Sequence, residues 1–543
     1  MASSSTHECM HTSGETDPVW VHTLPFDKFP TFKKLQTNLT ADVCVIGSGI
    51  AGVSTSYELV SSGLKVVMLE ARDFCSGETG RTSGHLSMFG YSEIEEKHGA
   101  DGIKVTAASH GFAMDQVGKI SSKLNIDCEY RRLPAYQISM YPRSDTKDYN
   151  DDMKELKDEA KAAKTAGVSV SFDPELKVKG WSGSADQPGG VVFDNQATFH
   201  PTKYVCGVMK WLAEQPNFAC YTETRVMNVE EKGIEVLGIG SKEVKISTEQ
   251  GHVVTCKNAV EACTVPLQKL SVVAEMEFMR TYCIAMKIPK GTMEDCLLYD
   301  SDDPYVYARL TACDAENEHI IVGGKDHKVG QEQTTGRFAD LEAWTRKRFP
   351  QVTTLDYAWS GQVFESVDHV AFIGKNQGMD HVYVITGDCG NGLTHGVLAG
   401  KLVSDEIQGI DNPWAKLYKP KRLASIMKSL PSMLQHDVQI NAQYKRFLES
   451  DIRDIEDLPR GCGGVLNTKS TSKPVAVYKS ESGEVHAMSA ICPHLKAMVS
   501  WNDVEKSWDC PVHGSRFSAN GTCVMGPSKG NLEKLDHSAI AKA

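Results

Sequence analysis

The chain has 543 residues, too many for one hydrophobic core, and its length suggests roughly three or four domains. Hydrophobic residues make up 41% and charged residues 24%, the balance of an ordinary globular protein. A formal net charge of −12 argues against nucleic acid or an anionic membrane as partner, and no apolar run reaches the ~18 residues of a membrane span.

Residues 1–38 read as a polar N-terminal tail with aromatic spots at Trp20 and at 26–32. The tail has neither an apolar signal core nor an Arg-rich amphipathic pattern, so the expected location is cytoplasmic. Sixteen cysteines scattered through a long chain fit mostly buried, reduced thiols.

Residues 43–46 form a short apolar run, followed by Gly47-Ser-Gly-Ile-Ala-Gly52 and a helical stretch to residue 61. A second apolar run, 65–69, ends in Glu70. This is a βαβ unit with the G-x-G-x-x-G fingerprint of a dinucleotide site. Gly47 permits the sharp turn, Gly49 lets the backbone approach a pyrophosphate, and Gly52 lets helix and strand pack closely. The phosphates would sit at the helix N-terminus, where unpaired N–H groups and the dipole favour an anion. Glu70 stands where a carboxylate takes ribose hydroxyls and disfavours a 2′-phosphate.

The next segment, Cys75-Ser-Gly-Glu-Thr-Gly-Arg-Thr-Ser-Gly-His85, is small and polar, suited to lining a flat heteroatom ring or to forming a surface loop. Residues 93–125 and 145–165 read as helices, the second with a solvated, mixed-charge face. Short strands follow, then a helix from Phe199-His-Pro with Pro201 in its first turn and His200 in a structural role. Residues 224–229, 244–255 and 259–266 read as strands, as do three runs within 276–325, and 330–349 reads as an amphipathic helix. A buried strand at 382–386 leads into Gly387-Asp-Cys-Gly-Asn-Gly-Leu-Thr-His-Gly396 and a helix over 397–408, a second strand–turn–helix unit aimed at the same ligand. Ile440, Tyr444, Phe447 and Leu448 have the spacing of an amphipathic helix.

The most specific signal lies near the C-terminus. Cys492-Pro-His494 and Cys510-Pro-Val-His513 are separated by fifteen residues. Two Cys and two His could hold tetrahedral zinc, but zinc fingers pair like with like, whereas here each loop offers one thiolate and one imidazole. A Rieske [2Fe–2S] centre, with two Cys on one iron and two His on the other, suits that division. Cys492, His494, Cys510 and His513 are therefore the expected cluster ligands. No second nicotinamide-type βαβ unit and no 2-His-1-carboxylate iron cluster stands out in the sequence.

Residues 455–535 resemble Rieske domains throughout. Ala497 and Val512 stand where the respiratory type has an extra disulfide, and Phe517 stands where it often has a Tyr, departures that imply a potential below the top of the Rieske range. The body of the chain, about 41–422, resembles the D-amino-acid-oxidase-like flavoproteins, the superfamily of glycine and sarcosine oxidases. That resemblance rests on Gly47 to Gly52 with Glu70, Gly77-Glu-Thr-Gly-Arg-Thr82, Phe199-His-Pro201, and Gly387 to Gly396 followed by Asn412-Pro-Trp-Ala-Lys-Leu-Tyr418. It implies FAD contacts at Gly47, Gly49, Ile50, Ala51 and Gly52, at Glu70, Ala71 and Arg72, and at Thr79, Gly80, Arg81 and Thr82. Further contacts are implied at Val226, Gly387, Gly390, Gly392 and Thr394. His85 lies near where some relatives attach flavin covalently, but offset by one, so it is read as a non-covalent lining residue. Arg280 and Arg309 are candidates to clamp a substrate carboxylate, with structural or surface roles as the plainer reading.

The fold class expected is an α/β Rossmann-type FAD-binding domain with an interleaved α+β substrate domain, plus a C-terminal all-β Rieske domain. The expected division is a tail over 1–38, the oxidoreductase over 39–425, a helical linker over 426–454 and the Rieske domain over 455–543. FAD-binding parts fall at about 39–110, 195–270 and 355–425, and substrate-domain parts at about 111–194 and 271–354. The expected function is hydride transfer from the C–N bond of an amine or amino acid to FAD, with electrons passed singly to the Rieske [2Fe–2S] cluster and on to an unidentified acceptor. Two alternatives stand beside it: inward flow from a partner through the cluster to a flavin that reduces a substrate, and a non-enzymatic redox carrier or sensor. No catalytic residue stands out.

Overall fold

The fingerprint strand, Leu39–Ile46, pairs in parallel with Val66–Leu69, Val43 opposite Val66 and Val45 opposite Met68. Both strands are apolar on both faces because helices cover them, and Val43, Val45, Val66 and Met68 are buried. Each such side chain contributes about 1.5–3 kcal/mol by leaving water. The computed structural model describes residues 16–87, 89–236, 239–267, 272–332, 334–422, 443–448, 450–467 and 473–536.

Around this pair an eight-stranded sheet runs in the order Phe372–Lys375, Val382–Thr386, Val253–Thr264, Leu39–Ile46, Val66–Leu69, Phe218–Tyr221. The hairpin Val226–Val236 and Ile239–Thr248 attaches antiparallel to Val253–Thr264. The sheet is assembled from segments far apart in sequence. Its two central helices, Ile50–Ser61 and Gly392–Ile407, pack through glycine: a Cβ on Gly400 would stand 2.7 Å from the Ser54 carbonyl carbon.

A nine-stranded sheet carries the interleaved segments, in the order Leu355–Ser366, Met276–Pro289, Asn317–Lys328, Val306–Ala312, Leu297–Asp300, Arg131–Ile138, Gly190–Thr198, His85–Leu86, with Val170–Asp173 on Gly190–Thr198. The helices expected at 93–125 and 145–165 are Tyr91–Lys123 and Thr146–Thr165. The helix expected over 330–349 is shorter, Arg337–Arg348. Its missing first turns serve docking instead: the Gly330 carbonyl accepts from Ser500 Oγ at 2.7 Å, and Gln331 Nε2 donates to the Pro511 carbonyl at 3.0 Å.

The C-terminal lobe is all β. Cys462–Leu466, Val475–Lys479 and Val485–Ser489 form one antiparallel sheet, and Ser500–Asn502, Ser507–Asp509, Arg516–Ser518 and Cys523–Met525 form another. Trp508 and Phe517 are completely buried between them. Most of the expected linker over 426–454, its residues 426–442 with Ile440, lies outside the described residues. Where it is described, Tyr444–Leu448 is a five-residue 3₁₀ turn, and Phe447 packs on the core of the lobe.

Candidate functional site

One continuous cavity runs between the two large sheets and is closed on one side by the C-terminal lobe. The fingerprint turn forms its floor. Gly47 has φ +106°, and a Cβ there would stand 2.4 Å from the Ala262 carbonyl oxygen, so no other residue fits; a Cβ on Gly52 would stand 2.0 Å from the Gly47 oxygen. The helices Ile50–Ser61 and Gly392–Ile407 both begin on the cavity with no cap from their own N-cap residues; Ile50 N is taken by Thr79 Oγ1 at 3.0 Å, and the dipoles of both helices point at whatever fills the cavity. Glu70 is held from the strand end by Ser48 N (3.0 Å), Ser48 Oγ (2.8 Å) and Arg72 N (3.0 Å), facing the Val226 end of the wall. Ser48 is a second anchor that the fingerprint pattern does not mark.

Of the predicted cofactor residues, Gly47, Gly49, Ile50, Ala51, Glu70, Ala71, Arg72, Thr79, Arg81, Thr82, Val226, Gly390 and Gly392 line this cavity. Gly52, Gly80, Gly387 and Thr394 sit one layer behind, where close packing shapes the wall. Residues 77–85 fold over the cavity as expected of a ring-lining loop rather than as an exposed one. His85 lines it with both ring nitrogens engaged, Nδ1 with Ser83 Oγ at 2.8 Å and Nε2 with the Ala308 carbonyl at 3.4 Å. Burial holds its ionisation down to about 3, so it is a neutral wall residue.

Neither candidate arginine reaches the cavity. Arg280 is fully buried, 3.1 Å from Asp509 Oδ2 and 3.0 Å from Ser360 Oγ. Arg309 is fully buried, donating to the carbonyls of Gly84 (2.7 Å), Phe199 (2.9 Å) and Leu310 (3.1 Å). Both are structural, but interior rather than surface. His200 caps its helix through Nδ1 to Lys203 N at 3.3 Å, the structural role expected of it.

The sequence left several lining groups unmarked. Phe89, Tyr299, Tyr305 and Tyr307 join the expected lining residue His85 in an aromatic box, with ring centroids 4.7–5.6 Å apart between neighbours. Asp326 stands beside it, and burial pushes its carboxyl up to about 7. Asp388, in the second glycine turn, is raised to about 7 for the same reason. A charged residue in a strand reads as outward-facing, which hides Asp326; a leftover acid inside Gly387-Asp-Cys-Gly390 was the one available signal for Asp388.

In the C-terminal lobe, the two loops bring like residues together. The Cys492 and Cys510 thiols are in hydrogen-bond contact, which draws the ionisation of Cys492 down and pushes that of Cys510 up. The His494 and His513 rings meet edge-on with centroids 5.1 Å apart. Thiols side by side and imidazoles side by side is the donor arrangement of a centre with two Cys on one iron and two His on the other.

The lobe and the cavity share a wall. Val524, Met525, Gly526, Ser528 and Lys529 line the cavity. Gln362, also a lining residue, donates Nε2 to the Gly514 carbonyl at 3.0 Å, and Phe278 meets His513 edge-on at 5.8 Å. Gly514 has φ +66°, and a Cβ there would stand 2.2 Å from Gln362 Nε2, so only glycine permits the approach.

A family profile described as "FAD dependent oxidoreductase" matches residues 42–406, and one described as "Rieske [2Fe-2S] domain" matches residues 450–536. The chain belongs to the FAD dependent oxidoreductase family and carries a C-terminal Rieske domain. A Bacillus subtilis chain, YhfW, described as a Rieske 2Fe-2S iron-sulfur protein, is 26% identical over 514 residues, covering 93% of this chain and 96% of that one. Gamma-glutamylputrescine oxidoreductase of Escherichia coli is 25% identical over 410 residues, 70% of this chain and 87% of that one. In fold, the crystal structure of glycine oxidase from Geobacillus kaustophilus superposes with a TM-score of 0.58 at 14% identity, covering 71% of this chain and 99% of that one. FAD and a [2Fe–2S] cluster are the cofactors of this oxidoreductase.

The residues present fit both groups. The glycine floor and two helix starts aimed at the cavity suit a pyrophosphate, and the aromatic box is suited to face a ring system. The paired thiols and paired imidazoles suit the cluster. No helix among the described residues is long and apolar enough to cross a membrane.

Proposed function

We propose that the protein oxidises the C–N bond of an amine and delivers the electrons outward through its Rieske centre. The observation that carries the circuit is Gln362, which lines the cavity and donates to the carbonyl of Gly514, the residue after the expected ligand His513. One side chain thus separates the two cofactor sites. Bound FAD supplies a two-electron acceptor for the substrate hydride, and the [2Fe–2S] centre supplies a one-electron outlet.

An amine is favoured over an amino acid by the aromatic box and the acid beside it, while each cavity cation among the described residues already has a backbone acceptor. Arg72, Arg81, Arg225 and Lys529 donate to the carbonyls of Ser76 (2.8 Å), Ser360 (2.7 Å), Cys523 (3.0 Å) and Met227 (2.8 Å). The aromatic box attracts a cation through its ring faces. Asp326 is hydrogen-bonded by Thr281, while its Oδ1 is buried without a partner, placed to hold an ammonium or to take its proton. Removing that proton frees the nitrogen lone pair that C–H cleavage to an imine requires. The relative in Escherichia coli named as a gamma-glutamylputrescine oxidoreductase is consistent with an amine.

The test is anaerobic mixing of the holoprotein with primary and secondary amines and with the matching amino acids. Amines are expected to bleach the flavin and then reduce the cluster. Bleaching by amino acids alone would overturn the amine assignment, and no bleaching by either class would overturn the outward circuit.

A further inference from the structure

The geometry points to a third metal site, outside both cofactor sites, made by His22, Cys313 and His319 and suited to a borderline-soft divalent cation such as zinc. One ligand atom from each residue lies within 4.8 Å of the other two. His22 belongs to the short N-terminal helix Trp20–Thr23, while Cys313 and His319 flank the turn joining Val306–Ala312 to Asn317–Lys328. The site therefore lies where the N-terminal segment crosses the large sheet.

The surroundings are those of a ligand set rather than a chance cluster. His319 is completely buried, its Nε2 is 2.9 Å from Asp356 Oδ2, and its Nδ1 is buried without a hydrogen-bond partner. Nε2–H donates to the carboxylate, which leaves the Nδ1 lone pair for a metal, the usual outer-shell support of a ligating histidine. His22 Nε2 donates to the Cys313 carbonyl at 3.1 Å, which fixes the tautomer and leaves Nδ1, 3.2 Å from Tyr357 Oη, as the nitrogen that carries the lone pair. The two imidazoles meet edge-on with centroids 5.3 Å apart. Binding exchanges the Cys313 thiol proton, released to solvent, for a metal–sulfur bond, and three protein donors leave a fourth tetrahedral position to water.

Such an ion would clasp the N-terminal segment in place, and that segment touches both the loop over the cavity and the Rieske lobe. Trp20 Nε1 donates to the Thr82 carbonyl at 2.8 Å in the loop over the cavity, and Thr16 Oγ1 donates to Glu505 of the Rieske lobe at 3.0 Å.

The test titrates zinc, then cobalt(II), into holoprotein that carries its FAD and cluster, with total metal counted and the cluster absorbance followed. Wild type is expected to take one equivalent beyond the cluster iron with the cluster spectrum unchanged. Cobalt should give a thiolate charge-transfer band. His22→Ala, at an exposed position, should weaken binding at least tenfold, and Cys313→Ser should abolish the band. No saturable binding in wild type, or equal binding in both variants, overturns the assignment; so does binding accompanied by loss of the cluster, which would place the ion on the Rieske ligands.

Discussion

The Arg280 guanidinium stands 3.1 Å from the Asp509 carboxylate with the two side chains 0% and 2% exposed, tying the nine-stranded sheet to the strand that leads into Cys510. The pair is the centre of a buried network. Arg516 lies 3.5 Å from Asp509 and 3.9 Å from Glu78, and Arg81 lies 3.7 Å from Glu505. Glu78 in turn accepts from Gln362 N at 2.7 Å, so the ions that join the lobes also fix the residue bridging the cofactor sites.

Removing one partner of a buried pair leaves the other charge without compensation, at about 3–5 kcal/mol. Arg280→Ala is expected to lower the thermal midpoint and to slow cluster reduction more than flavin bleaching, read by differential scanning calorimetry and stopped flow. Equal slowing of both steps would show that the pair serves general stability and not docking.

Glu70 anchors the turn that faces the cofactor through Ser48 N and Arg72 N. Glu70→Ala is expected to lose most of its flavin on desalting while keeping full acid-labile sulfide, because the cluster loops belong to a separate core. Unchanged flavin content would refute the ribose role. In wild type, about one FAD and one [2Fe–2S] per chain are expected, and zinc in place of labile sulfide would refute the cluster.

Asp326 sets a pH dependence. Burial raises its carboxyl from 3.8 to about 7, so the folded state binds this proton more tightly than the unfolded chain. Its contribution to stability is fully present below about pH 4 and is lost as pH rises through about 7. A bound ammonium reverses that preference by pairing with the carboxylate. KM for an amine is therefore expected to fall between pH 6 and 8, and Asp326→Asn should raise KM about tenfold or more and remove that limb. An unchanged KM profile in the variant would exclude Asp326 from substrate binding.

Ser515 Oγ accepts from Ser528 N at 3.0 Å and hydrogen-bonds Cys492, so its hydroxyl can stabilise the more negative reduced cluster. Ser515→Ala is expected to lower the potential, measured by EPR-monitored titration. The wild-type value should lie inside the family span of roughly −150 to +300 mV and below its top. Phe517 is fully buried and offers no hydroxyl, whereas Phe517→Tyr should raise the potential if the new group reaches a ligand sulfur.

Much of this was legible from local pattern. Gly47 to Gly52 with Glu70, and the Cys–His spacing of residues 492–513, each encode a turn whose chemistry depends on neighbours in sequence. What escaped depends on pairing across long separations. Arg280 meets Asp509 across 229 residues, and Gln362 meets Gly514 across 152. Nothing near Gln362 in the sequence distinguishes it from a solvent-facing glutamine. Asp326 was hidden because alternation in a strand cannot tell a buried acid at a cavity from an exposed one at the surface. The helix at Arg337–Arg348 is shorter than the 330–349 expected from sequence, because Gly330 and Gln331 bond to the Rieske lobe instead of opening the helix.

The most direct test of the circuit is single-turnover reduction of Cys510→Ala beside wild type, anaerobically, with a bleaching amine. Cys510 is buried at the thiol pair, and no neighbouring residue replaces it: Cys523 is occupied with the carbonyls of Met525 and Ser528. The variant is expected to lose the cluster, keep FAD, and bleach at close to the wild-type rate, while turnover with any acceptor that draws through the cluster collapses. If the wild-type flavin stays oxidised with every amine and amino acid but is reduced through the cluster by an electron-donor protein, and Cys510→Ala abolishes that reduction, electrons flow inward and the account is contradicted.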